Sequence, residues 1–285
     1  MDPDIPFDRR LRRLRRDCAA GQFTNADYLH RMASEELLDR LDLVKRDFRD
    51  ALDLGCGDGF LSERLRARGL TVVSADAGAS FASAANGVQC DEDRLPFADA
   101  AFDLVTSVGV LDSVNDLPGA LALIRRALRP DGLFLAAFTG AGSLPRLRDA
   151  MNAAEEAEGT PASPHIHPQI DVRAAGDLLT RAGFALPVAD AAGIHIRFSS
   201  FGRLIRDLRA MGATNILASR SRRPIGRLGL AAATVAFGRH AEDDGKTVER
   251  FEIVYLTGWS PSADQPRPAR RGSATTSLAD ALKAR

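Results

Sequence analysis

The chain has very little lysine, few tyrosines or tryptophans, and no surplus of charge. Lys45, Lys246 and Lys283 are the only lysines among 38 basic residues, and 38 acids balance them to a formal charge of zero. A zero sum excludes a uniformly basic coat for nucleic acid, though not local patches. No basic motif interleaved with aromatics appears either, so no nucleic-acid partner is expected. Cysteine is scarce: Cys18, Cys56 and Cys90 are odd in number and form no C-x-x-C pair. That argues against a zinc site or a disulfide framework and fits a reducing compartment. No apolar run approaches the ~20 residues of a membrane span, the most apolar stretch being Leu228 to Gly238. The acidic start, Met1-Asp2-Pro3-Asp4, has no apolar h-region, so no secretory signal and a cytoplasmic location are expected.

What is present is an ordinary globular composition, 45% hydrophobic and 27% charged over 285 residues, long enough for one elaborated domain or two small ones. Arg9, Arg10, Arg12, Arg13, Arg15 and Arg16 cluster around Leu11 and Leu14. This run reads as a polar helix with solvated arginines, a partner-binding arm being the sharper alternative. Leu37, Leu38, Leu41 and Val44 predict a helix over 33–48. From Ala51 to Phe138 short apolar runs alternate with helix-length segments. Strands are expected at 51–54, 70–75, 87–90, 102–108 and 133–138, with helices at 60–68 and 117–128. Such alternation implies an α/β fold, a doubly wound, mostly parallel sheet, with ligands beyond the carboxyl ends of the strands. Further helices are expected near 144–157, 172–182, 201–211 and 225–239, and a late strand at 251–256. The reading gives an N-terminal helical segment (1–48), a binding domain (49–259) carrying an α-rich cap at about 140–245, and a flexible tail (260–285). Within the tail, Ser277 to Lys283 could turn helical on binding.

The informative stretch is Asp53-Leu54-Gly55-Cys56-Gly57-Asp58-Gly59, between a strand and a helix. Glycines let the backbone turn sharply and approach a ligand, and the following helix offers free N–H groups to an anion. The spacing is G-x-G-x-G, not the G-x-G-x-x-G of dinucleotide folds, and no Walker-type phosphate loop occurs. Asp76 ends the second strand, where an acid can accept both ribose hydroxyls. Asp91, followed by Glu92, ends the third, where it can accept from an adenine amino group. Each acid alone is as readily a cap or turn residue; three at successive strand ends point to a nucleoside.

On these residues, with Asp91-Glu92-Asp93-Arg94-Leu95-Pro96-Phe97, Phe102-Asp103-Leu104-Val105 and Leu128-Arg129-Pro130-Asp131-Gly132, the sequence resembles the class I S-adenosylmethionine-dependent methyltransferases. The resemblance implies S-adenosylmethionine as cofactor and a Rossmann-like fold. It implies binding roles for Asp53, Gly55, Cys56, Gly57 and Gly59 (methionine end), Asp76 (ribose), and Asp91 with Glu92 (adenine side). Cys56 is then a small loop residue, not a nucleophile, and no residue is assigned a catalytic role. Phe7-Asp8-Arg9-Arg10, Val114-Asn115-Asp116-Leu117-Pro118, Ser163-Pro164-His165-Ile166 and Tyr255-Leu256-Thr257-Gly258-Trp259 are similar to the respiratory complex I assembly factor five family. They are more distantly similar to the malonyl-acyl carrier protein methyltransferases. That narrower resemblance implies a protein substrate, with the iron–sulfur subunit of complex I as candidate, and either methyl transfer or arginine hydroxylation. The alternatives are a cofactor-binding assembly chaperone without catalysis and a methyltransferase for a small or carrier-bound carboxylate. Two stretches depart from the family pattern near the expected cofactor mouth, Leu111-Asp112-Ser113 and Gly140-Ala141-Gly142-Ser143-Leu144.

His165, His167 and His195 would suggest iron only with an acid on the same face, which no spacing selects, so no metal is expected. Tyr28 and His30 precede the first strand and fit either a lid or plain helix packing. The neutral total is also uneven: 71–120 holds eight acids and one base, whereas 196–240 holds nine arginines and one acid. A basic cap would attract an acidic partner if its arginines share a face.

Overall fold

The computed structural model describes residues 5–265; the acidic start and the 277–283 segment lie outside them. Seven strands form one sheet: β1 (Asp50–Leu54), β2 (Thr71–Asp76), β3 (Val88–Gln89), β4 (Phe102–Val108), β5 (Leu128–Thr139), β6 (Ala185–Phe198) and β7 (Thr247–Trp259). Their order is β3-β2-β1-β4-β5-β7-β6. The first five run parallel, while β7 is antiparallel to both β5 and β6. The helices are α1 (Arg9–Ala20), α2 (Tyr28–Asp42), α3 (Phe60–Ala67), α4 (Ala79–Ala84), α5 (Leu117–Ala127), α6 (Pro145–Glu158), α7 (Val172–Arg181), α8 (Phe201–Ala210) and α9 (Arg227–Gly238). The doubly wound expectation holds. Chain order reverses between β1 and β4, which opens a crevice at their carboxyl ends, the place where such sheets take ligands.

The two faces of the sheet explain the near-continuous apolar runs of the strands. On β5, Leu133, Leu135 and Ala137 join one core with Leu37, Leu147 and Leu204, from α2, α6 and α8. Phe134, Ala136 and Phe138 join the other core with Leu121, Ile124 and Leu179, from α5 and α7. Caps begin several helices. Asp116 accepts from the Gly119 N–H at 2.8 Å ahead of α5, and Asp171 from the Ala174 N–H at 2.8 Å ahead of α7. Among the described residues no helix is long and apolar enough to cross a membrane.

Three local expectations needed correction. The helix expected at 33–48 is shifted to Tyr28–Asp42 and stops where Leu43 is 83% exposed. The stretch 140–245 is not only helical: it contains β6, which has no expected counterpart. This strand is at the sheet edge, mostly exposed, with Pro187, Asp190 and Gly193 in its sequence and a register shift between Ala185 and Val188. Edge strands tolerate such residues, so the alternation that marks a buried strand is missing. The N-terminal helix forms, but its arginines are not all solvated: Arg12 and Arg16 are buried.

Phe134 is fully buried and stacks on Phe184 at 5.4 Å between ring centroids. Phe134→Ala is expected to cost about 3–5 kcal/mol in urea unfolding. Leu186→Ala, at a half-exposed site, should stay within about 0.5 kcal/mol.

Candidate functional site

The site is built at the carboxyl ends of β1, β2 and β3. After β1 the chain enters the left-handed region at Gly55 (φ 83°), Gly57 (φ 54°) and Gly59 (φ 85°), conformations that glycine adopts without steric cost. At Gly55 a side chain is also excluded, since its Cβ would lie 2.5 Å from Val110 Cγ2. Asp53, just ahead of the loop, is 1% exposed. Its carboxylate accepts from the Ser62 hydroxyl at 2.6 Å and the Thr106 hydroxyl at 3.3 Å. Burial pushes Asp53 up to about 6, with these two hydrogen bonds opposing. Burial also raises the thiols of Cys56 and Cys90, so neither is poised as a thiolate.

Asp76 closes β2 with no exposure at all. Oδ1 accepts from the Gly78 N–H (2.7 Å) and Arg16 Nε (2.7 Å), and Oδ2 from the Gly57 N–H (3.1 Å) and Arg16 Nη2 (2.5 Å). Burial works against this charge, but the Arg16 guanidinium and the backbone donors outweigh it and hold the carboxyl below its ordinary range. The other acids are treated alike. Arg12 grips Glu92 at 2.6 and 2.8 Å, Arg13 reaches Asp91 at 2.5 and 3.2 Å, and Arg9 reaches Asp91 at 3.0 Å and Asp93 at 2.5 and 2.9 Å. One helix therefore neutralises all four carboxylates. These arginines stand at i, i+3, i+4 and i+7, a single helical face, while Arg10 and Arg15 are exposed. The charge run alone reads as a solvated helix; its spacing held the missed signal.

Two cavities meet at His30. A small one, about 20 Å³, is lined by Asp53, Gly55, Gly57 and Asp58; a larger one, about 130 Å³, by Arg12, Arg16, Asp112, Ser113 and His167. His30 borders both and presses on Gly109, where a Cβ would meet Nε2 at 2.4 Å. Its buried Nδ1 has no hydrogen-bond partner among the described residues. Burial, with the charge of Arg16, pushes His30 down to about 4, so it is neutral at pH 7. Tyr28, by contrast, donates to Asp207 at 3.3 Å. Of the histidines weighed for a metal, His165 and His167 both line the larger cavity, whereas His195 does not. His165 pairs with Glu155 at 2.7 Å, His167 accepts from the Ile216 N–H at 3.3 Å, and His195 lies opposite Arg250 on the β6–β7 ladder.

A model of the methyltransferase domain matches residues 52–136. The zebrafish (Danio rerio) protein named arginine-hydroxylase NDUFAF5, mitochondrial, is 36% identical over 288 residues, covering 97% of this chain and 89% of that protein. The malonyl-[acyl-carrier protein] O-methyltransferase of Laribacter hongkongensis is 33% identical over 275 residues, covering 90% and 89%. Among solved structures, YcgJ of Bacillus subtilis superposes with a TM-score of 0.55 at 14% identity over 80% of this chain and 99% of that one, a likeness of fold alone. The chain belongs to the NDUFAF5 family.

As a member of the NDUFAF5 family the protein is an S-adenosylmethionine-dependent enzyme. The residues present suit that cofactor. The loop carries no side chain at Gly55, Gly57 or Gly59, His30 borders both cavities with an Nδ1 unpartnered among the described residues, and Asp76 and Asp91 would accept from hydroxyl and amino groups once the α1 arginines that now occupy them give way.

Glu92→Ala strands Arg12 as a buried cation and is expected to cost about 3–5 kcal/mol. Asp99→Ala, at the exposed pair with Arg126, should cost below about 1 kcal/mol by the same urea unfolding. Asp53 has the opposite sign, because its folded pKa is raised. As pH rises from ~4, the unfolded chain releases this proton first, and wild type loses stability until the folded group ionises at about 6. Asp53→Asn should gain on wild type across that window by about 2–3 kcal/mol and keep a constant gap above it. A gap independent of pH in thermal unfolding would contradict the raised value.

Proposed function

We propose that this chain uses S-adenosylmethionine to modify an arginine side chain of a protein subunit during respiratory complex I assembly. The glycine loop with Asp53 and Cys56 holds the methionine end, Asp76 the ribose, and Asp91 with Glu92 the adenine side. The observation that carries the proposal is similarity to NDUFAF5 along nearly the whole chain, including the cap that frames the larger cavity. When bound, the cofactor supplies an electrophilic methyl group on a sulfonium. The chain's own part is placement and exclusion of water, a large share of the acceleration in displacement chemistry.

The larger cavity supports a cationic side chain as the acceptor. Arg12 and Arg16 line it, but their charges are committed to Glu92 and Asp76. Asp112 is the cavity carboxyl without such an arginine. Burial pushes it up, opposed by His167 and Arg12. His167 is pushed down by burial and, with Nε2 accepting from Ile216, carries its proton on Nδ1.

A second reading, methyl transfer to a carrier-bound carboxylate, is favoured by the similarity to the malonyl-[acyl-carrier protein] O-methyltransferase. Intact-mass analysis of complex I subunits and of malonyl-carrier protein, each incubated with the enzyme and cofactor, separates the readings. A gain of one methylene at an arginine is expected from the cofactor alone, and a gain of one oxygen where dioxygen and a two-electron reductant are also supplied. A gain on the carrier thioester alone, or no gain on any subunit, overturns the arginine assignment. Asp112→Asn should lower the yield at least about tenfold without changing S-adenosylmethionine affinity.

A further inference from the structure

Arg16 is buried where α1 meets the end of β2. Its guanidinium covers both oxygens of Asp76, and its Nη2 meets the Gly57 N–H on the same oxygen, Oδ2. It is thus held at the strand-end carboxylate and beside the glycine loop at once. It also borders the larger cavity and lies against the Phe81 ring at 5.1 Å.

With two backbone N–H groups and two guanidinium N–H groups, Asp76 has its ordinary complement of about four acceptor sites filled. Ribose hydroxyls therefore find a place on Asp76 only after Arg16 gives one up. Removing the whole helix is the costly route. Arg12 on Glu92 and Arg9 and Arg13 on Asp91 and Asp93 would all be broken, and the cofactor, with a single carboxylate and two cationic centres, cannot neutralise those acids. Turning one side chain while α1 stays anchored is the cheaper exchange. A buried guanidinium released from Asp76 must then find another anion, and the cofactor's α-carboxylate belongs to the end that the glycine loop holds.

We infer that Arg16 is a binding residue for the cofactor's carboxylate, stored on Asp76 while the cofactor is absent. The inference rests on the assignment of Asp76 to the ribose. It makes the site selective in a defined way: a ligand must bring both the ribose hydroxyls and the carboxylate. A nucleoside without the amino-acid end displaces Arg16 and leaves it unpaired.

Calorimetry with S-adenosylhomocysteine and 5′-methylthioadenosine, which lacks the amino-acid end, tests the exchange. Arg16→Met is expected to bind S-adenosylhomocysteine about tenfold or more weakly and 5′-methylthioadenosine more tightly than wild type. Arg16→Lys should keep part of the preference for the carboxylate-bearing ligand. Both ligands weakening alike in Arg16→Met would show a structural role, and both tightening alike a simple block; either overturns the inference. Wild type itself gives an arm independent of variant folding. Decarboxylated S-adenosylmethionine should bind about tenfold more weakly than S-adenosylmethionine, and equal affinities overturn the inference. Asp76→Asn examines the ribose assignment separately: unchanged affinity for 5′-methylthioadenosine sinks that assignment, whatever Arg16 does.

Discussion

The structure depends on a charge problem at the carboxyl ends of its parallel strands. Asp76, Asp91 and Glu92 are almost wholly buried, and an isolated carboxylate in such a place costs several kcal/mol. The chain solves the problem with one face of α1, whose four arginines meet the acids one after another. Helix and sheet thereby become one unit, although α1 belongs to the N-terminal segment and the acids follow β2 and β3. The same arrangement buries the paired charges at the crevice. Interactions inside it are stronger than they would be at the surface, which suits an enzyme that works by positioning.

Legibility followed burial and regularity. The Gly55–Gly59 loop was readable because its three glycines have a conformational reason, and β1, β2, β4 and β5 because strands largely covered on both faces carry short apolar runs. Edge strand β6 was not readable: most of its side chains face solvent, so Ala, Pro, Asp and Gly are tolerated and the apolar pattern is absent. The role of α1 was half readable. Positions 9, 12, 13 and 16 share a face, but nothing local says that the face is covered, because its partners are 60 to 84 residues away. His30 was harder still. Its importance comes from contact with Gly109 and from an unpartnered nitrogen, both properties of the folded chain. Of Leu111-Asp112-Ser113, a stretch that departs from the family pattern, Asp112 and Ser113 line the larger cavity.

The uneven charge of the sequence changes meaning once pairing is known. The acid-rich stretch 71–120 is no acidic surface. Asp76, Asp91, Glu92 and Asp93 are taken by α1, Asp99 by Arg126, Asp103 by Arg129, and Asp116 caps α5; Asp112 borders the larger cavity. The basic stretch is different. Arg197, Arg203 and Arg220 have acidic partners, but among the described residues no acid lies within bonding reach of Arg206, Arg209, Arg222, Arg223, Arg227 or Arg239. Between Asp207 and Glu242 the sequence holds no acid at all. Over the whole cap, 140–245, thirteen arginines face eleven acids, so the positive excess lies in the 196–240 stretch, while the charge of the acids paired with α1 is cancelled within a few ångströms. Long-range attraction acts on what remains uncancelled, so the unpaired arginines of 196–240 contribute to the field outside the molecule and the paired acids of 71–120 contribute little beyond contact distance.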